Sequence, residues 1–304
     1  MKKNKEIESR RMNGALIVNV SRSNINGDPE ADGFPRIDGE GFGEVSSVSV
    51  ARKIRDGVAE KECILWQHVK QKFNISDEEE EKEYQIFVDK GTNRADWKNT
   101  PVKELLEIFF DNRIRGGTFL DDKDKEKEKE KDSKVKKSGA IFTSSGVFNI
   151  GMGFSVAPVE LITMTLTNKA GVQEGKDRGW ATDGFKVIQH GIYVIPFSVN
   201  PNRAIKTMCT KQDIDIVLEI LPNIYSCFPS LIRNEVEVIQ AIVAEHKSPL
   251  GSFKKHEFDD MIIPIKKENP DEPSKTYKEY TFADIEEIRK KINAKSVIDL
   301  VNKE

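Results

Sequence analysis

The sequence predicts an α+β fold, and three observations predict it. Strand-like and helix-like stretches follow one another in mixed order, no nucleotide-binding repeat or solenoid period is present, and long polar insertions separate the apolar segments. The expected architecture is a sheet with helices on one side.

The elements follow in order. Residues 15–20, ALIVNV, form a short β-branched apolar run and predict a strand. Over 47–58, Val50, Ala51, Ile54 and Val58 share one helical face. Residues 76–83, SDEEEEKE, are expected to be a solvated loop. Thr100 and Pro101 predict a helix start, with threonine as cap and proline in the first turn, ahead of KELLEIFF. Residues 121–137 hold eight lysines and seven acids and almost nothing apolar, so they cannot offset their ordering entropy by burial. Residues 158–168, 192–199 and 236–243 read as strands, and Pro196 predicts an edge or a bulge in the second of these. TKQD at 210–213 is a variant capping box before the stripe Ile214, Val217, Leu218, Leu221. The end of the chain, 266–304, reads as a polar linker followed by an amphipathic helix around 281–301.

The bulk numbers exclude several classes. The chain has 304 residues, a net charge of −3 and no apolar run of membrane-spanning length. The basic start, MKKNKEIESRR, is not followed by a signal-peptide core, and Cys63, Cys209 and Cys227 are few and far apart, which predicts a cytoplasmic location. His68, His190, His246 and His256 are dispersed without metal-ligand spacing, so neither a metal nor a cofactor is expected. No phosphate-binding loop or serine-nucleophile elbow is present. Net charge alone does not predict nucleic-acid binding, but ARKIR at 51–55 and RIR at 113–115 are locally basic.

Residues 24–58, NINGDPEADGFPRIDGEGFGEVSSVSVARKIRDGV, resemble the N-terminal signature of the CRISPR-associated backbone (RAMP superfamily) subunits of type I Cascade, most closely the type I-C branch. FFDNRIRGGTF at 109–119, GVFNIGMGFSVAPVE at 146–160, and the segments 167–201 and 233–252 are similar to later family segments in the same order. Ile25, Ser47, Ala51 and Asn112 depart from the family's usual residues. The resemblance implies one domain over 14–265 with a modified RNA-recognition-like (ferredoxin-like) core. It also implies an inserted thumb at about 112–157 that reaches a neighbouring copy. The implied function is a non-catalytic subunit that polymerises along CRISPR guide RNA with other Cascade subunits and presents the guide to target DNA.

The residues suited to RNA are legible in chemical terms. Asn24 and Asn26 lie in a turn-prone cluster that lets backbone approach a ligand, and Arg36 is restrained by Pro35. Ser46 and Ser47 start a helix whose free amides suit a phosphate, and Ser49, Arg52, Lys53 and Arg55 follow on it. Arg113 and Arg115 offer planar forks for phosphate. Phe148 and Met152 are candidates to wedge against bases, whereas Phe154 reads equally well as core. The polar stretch containing Lys169, Gln173, Lys176 and Arg178 is a candidate contact loop. Two rival readings stand: a ribonuclease using Asp28 or Asp32, and a generic single-stranded RNA-binding protein.

Overall fold

The alternating apolar pattern of the predicted strands is built into one mixed-partner antiparallel sheet in the computed structural model, which describes residues 5–88, 97, 100–119, 142–143, 145–169 and 180–302. The strands are β1 (Met12–Ser23), β2 (Phe42–Val45), β3 (Thr118–Phe119), β4 (Phe142–Thr143), β5 (Phe148–Ile150), β6 (Gly153–Pro158), β7 (Leu161–Lys169), β8 (Trp180–Val199), β9 (Val236–His246), β10 (Ile265–Lys266), β11 (Tyr280–Thr281) and β12 (Ala294–Asp299). The main sheet runs β12-β9-β1-β8-β6-β2, with β5 and β7 also paired to β8. The helices are α1 (Ser47–Ala59), α2 (Ile64–Lys72), α3 (Asp77–Glu83), α4 (Val102–Ile108), α5 (Phe110–Arg115), α6 (Ala204–Thr207), α7 (Lys211–Ile220), α8 (Lys255–Ile262) and α9 (Ile285–Lys291). No helix among the described residues is long and apolar enough to cross a membrane.

β1 is central because both of its faces are apolar. Leu16, Val18 and Val20 pack in one cluster with α1, α2 and α7, while Ala15 and Ile17 pack in a second cluster on the opposite face. That second cluster takes Phe258 and Ile262 from α8, Tyr280 from β11, Ile288 from α9 and Val297 from β12. The sheet is therefore covered on both faces, not on one. The C-terminal stretch read as linker and helix supplies this second layer. The helix there ends at Lys291, and residues 294–299 form a strand paired with β9. Val297 alternating with exposed neighbours is a strand pattern that a short amphipathic reading obscures.

β8 takes three partners in succession. Its first half pairs with β7 from Lys169↔Trp180 to Leu161↔Ile188, then Val194 pairs with Phe154 of β6, then 197–199 pair with β5. Pro196 sits opposite Ala15 on one side and at the break between β5 and β6 on the other, where its carbonyl accepts from Gly151. In a strand, N and C=O of one residue point the same way, so the missing N–H of Pro196 falls at that break and no ladder bond is lost. β1 ends its register on β8 at Ser23↔Ile188, and the β7–β8 pair runs on from there as a two-stranded ribbon.

Two further expectations change. Residues 77–83 are not a loop: Ser76 and Glu79 form a capping box, and Glu80 turns inward to accept from the Trp66 indole at 2.6 Å. The start of α4 has Pro101 at the cap position with no side-chain cap, so Thr100 does not serve as one. The span 112–157, expected to carry a thumb, begins and ends in core elements. Residues 112–115 lie in α5, with Asn112 and Ile114 buried, and 148–158 lie in the main sheet. Between these, β3 and β4 pair as Thr118↔Thr143 and Phe119↔Phe142. The charged run 121–137 is outside the described residues.

Candidate nucleic-acid interface

Residues 24–41 form a folded loop that leads through β2 to the start of α1. The Asn24 side chain is buried and donates to the carbonyls of Gly33 at 2.9 Å and Lys186 at 3.0 Å. Asn26 accepts at Oδ1 from the Ser46 backbone N–H at 2.7 Å, and its own carbonyl accepts from Arg36 N–H. Both asparagines thus brace the loop through backbone hydrogen bonds, while Asn24 Oδ1 is buried with no hydrogen-bond partner among the described residues. As direct RNA contacts, Asn24 and Asn26 would act from side chains that already brace this loop, since short amides in turns serve neighbouring backbone first.

Ser46 caps α1, its hydroxyl accepting from Ser49 N–H at 3.2 Å. Ser47 opens the helix, and Val48 beside it is 67% exposed. The first-turn amides and the N-terminal end of the helix dipole face the side of the molecule bearing this loop. Further along α1, Arg52 is held by Asp56 at 2.6 Å with its side chain 39% exposed. Lys53 turns to the Phe228 carbonyl, 3.2 Å away, and burial lowers its pKa. Arg36 is half-buried and paired with Asp28 at 3.1 Å, while its Nε has no hydrogen-bond partner.

The two arginines of α5 part ways. Arg113 is buried and saturated: Nε and Nη2 grip Asp213 of α7 at 3.1 and 2.9 Å, Nη1 donates to the carbonyls of Leu106 and Glu107, and Nη2 also donates to Glu83. It has no donor left for phosphate, which corrects its assignment to the RNA site. The sequence around it, an arginine one turn from the end of a short apolar helix, carries no sign of the acid a hundred residues away. Arg115 is half-buried next to Arg55, and its Nη1 is buried with no hydrogen-bond partner among the described residues. Burial first, then the charge of Arg55, push the Arg115 pKa down, with Asp111 opposing.

The aromatic candidates also change places. Phe148 is 1% exposed and packs on Phe197 in the core, so it is not free to wedge against bases. Met152 and Phe154 are 41% and 43% exposed. In β6, Ser155 and Ala157 point inward and Phe154 outward, so the strand parity decides the matter. Phe154, which the sequence left open between wedge and core, is the outward-facing phenylalanine of this strand. Lys169 ends β7 with its backbone paired to Trp180, and Gln173, Lys176 and Arg178 are outside the described residues.

The loop aspartates are engaged. Asp28 pairs with Arg36 and accepts from Glu30 N–H at 3.1 Å, and Asp32 pairs with Lys186, which lowers the Asp32 pKa. A lowered carboxylate is poorly matched to proton abstraction near neutral pH. Among the described residues, no group of three or more His, Cys, Asp or Glu is placed to hold a metal.

A family profile described as "CRISPR-associated protein Cas7" matches residues 10–285. Two solved structures are similar. One chain of a "CRISPR RNA-guided surveillance complex" is 15% identical with a TM-score of 0.42, over 77% of this chain and 68% of that one. One chain of a "CRISPR RNA-guided surveillance complex, pre-nicking" is 13% identical with a TM-score of 0.46, over 77% and 78%. No curated protein matches.

Proposed function

Starting from the fact that this chain belongs to the CRISPR-associated protein Cas7 family, we propose that it is a guide-RNA-binding backbone subunit of a type I Cascade, of the I-C branch, and that it does no chemistry. Copies stack along the guide with other Cascade subunits and leave its bases to pair with target DNA. The core is read as RNA-recognition-like: β1 leads through the short β2 to α1, β8 leads through α6 to α7, and the order β9-β1-β8-β6 is antiparallel throughout.

The observation that carries the RNA site is the Arg115 nitrogen buried without a protein acceptor, beside Arg55. A buried guanidinium N–H left unmade costs on the order of 1–3 kcal/mol, and a phosphate oxygen supplies the missing acceptor. In this reading Arg52, Arg55 and Arg115 grip the backbone, the start of α1 at Ser46, Ser47 and Ser49 accepts a phosphate, and Met152 and Phe154 meet bases. Arg36 supports the loop through Asp28. Lys53, Lys169, Gln173, Lys176 and Arg178 stand as peripheral contacts.

The test is co-purification. A tagged chain expressed with neighbouring subunits and a repeat-spacer array is expected to bring down mature guide RNA in a multi-copy particle. Random transcripts on a monomer would overturn the reading in favour of a generic RNA binder. Cleavage of complementary RNA, lost on Asp28→Ala or Asp32→Ala, would replace it with the ribonuclease.

A further inference from the structure

The sheet face turned away from α1 and α7 is closed by the C-terminal layer, and two histidines fasten that layer at separate points. His190, on β8, is 2% exposed. Its Nε2 faces Asn19 Oδ1 at 3.0 Å and its Nδ1 faces Ser274 Oγ at 2.7 Å. Tyr280 donates its hydroxyl to Ser274 Oγ at 2.9 Å. Proton counting then leaves one arrangement. The Tyr280 hydroxyl donates to Ser274, the Ser274 hydroxyl donates to Nδ1, and Nε2–H donates to the Asn19 oxygen. Every member is satisfied only while the ring is neutral. A proton on Nδ1 would leave one buried hydroxyl hydrogen, that of Ser274 or that of Tyr280, without an acceptor in this chain of bonds.

His246, at the end of β9, is 4% exposed. Its Nδ1 accepts from the Ser252 backbone N–H at 2.9 Å, and its ring stacks on Phe253 with centroids 3.8 Å apart. A backbone N–H only donates, so Nδ1 must be unprotonated for this turn to exist. Ser252 and Phe253 lead into α8, whereas Ser274 and Tyr280 lie further along the layer. The histidines therefore hold its entry and its middle.

We propose that residues 247–299 are an acid-releasable cover over this sheet face, held shut by the neutral imidazoles of His190 and His246. Release would uncover Ala15, Ile17, Ile192, Ile242 and Ala244.

The surrounding charges agree with this direction. Burial pushes the His190 pKa down to about 4, with the Glu279 carboxylate opposing weakly, and the Tyr280 ring lies 6.3 Å away. Burial and then Arg11, which donates to the Leu250 carbonyl at 2.9 Å, push the His246 pKa down. The adjacent Glu245 is neutralised by Lys295 of β12 at 2.7 Å. The closed state thus binds fewer protons than the released one. Closure is fully stable above the ordinary histidine pKa of about 6.5 and weakens as pH falls from there toward about 4.

Hydrogen exchange of the full chain, corrected for intrinsic rates, tests this between pH 7.5 and 5. Peptides from 255–299 are expected to lose at least about tenfold in protection while peptides from α1 and α7 keep theirs. Equal loss everywhere, or none, overturns the proposal. His190→Gln keeps an N–H for Asn19 but cannot titrate here, and it should blunt the acid response. If that variant fails to fold, an NMR titration of the histidines in the unaltered chain decides: both must titrate below the ordinary value, and a value near 6.5 for either overturns the cover. None of these readouts depends on RNA binding.

Discussion

Arg113 and Arg115 stand two residues apart on α5 and belong to different parts of the molecule. Arg113 points inward, makes an ion pair with Asp213 and donates to three backbone carbonyls, tying α3, α4 and α5 to α7. Arg115 lies beside Arg55 and keeps an N–H with no acceptor among the described residues. On a helix, a step of two residues turns a side chain by about 200°, so one arginine becomes framework and the other remains available. Phe148 and Phe154 repeat the contrast on strands. In both pairs, identical side chains differ in role because of the direction in which each points.

The largest expected effect lies on the framework side. Arg113→Met leaves Asp213 buried without its charge partner, and the loss should be about 3–5 kcal/mol, or about 10 °C in melting temperature. Calorimetry checks this, and a shift of under 2 °C would mean that the hub is dispensable. Phe148→Ala should cost about 3–5 kcal/mol of stability, whereas Phe154→Ala should leave stability within about 0.5 kcal/mol and weaken RNA binding by about 1–3 kcal/mol. Paired denaturation and filter-binding measurements would break the comparison if the two phenylalanines behaved alike. Arg115→Gln and Arg52→Gln sharpen it. Each should leave the melting temperature nearly unchanged, weaken binding to every spacer sequence alike, and reduce the log–log salt slope by about 0.7 per lost phosphate contact. Sequence-selective loss in either variant would contradict a backbone grip.

Local signals in the chain were sufficient wherever one element's chemistry is self-contained. The β-branched run ALIVNV yields β1, the Ser46 start and apolar stripe yield α1, and the Thr210–Asp213 box opens α7. The α+β class and the family followed from such segments in order. The site was less legible, because availability for RNA depends on partners that are distant in sequence. Asp213 claims Arg113, Ser46 claims Asn26, and Gly33 and Lys186 claim Asn24. The acidic run at 77–83 looked solvated because nothing local reveals that Glu80 meets the Trp66 indole. Likewise, the C-terminal stretch reads as linker until β9 offers an edge for β12 and the second sheet face needs an apolar cover. Residue type, periodicity and capping chemistry are properties of neighbouring positions, and the sequence by itself determined what rests on them. Which polar group is satisfied internally, and which is left to bind something else, was decided only by the tertiary structure, since burial leaves a donor no choice but the acceptors packed around it.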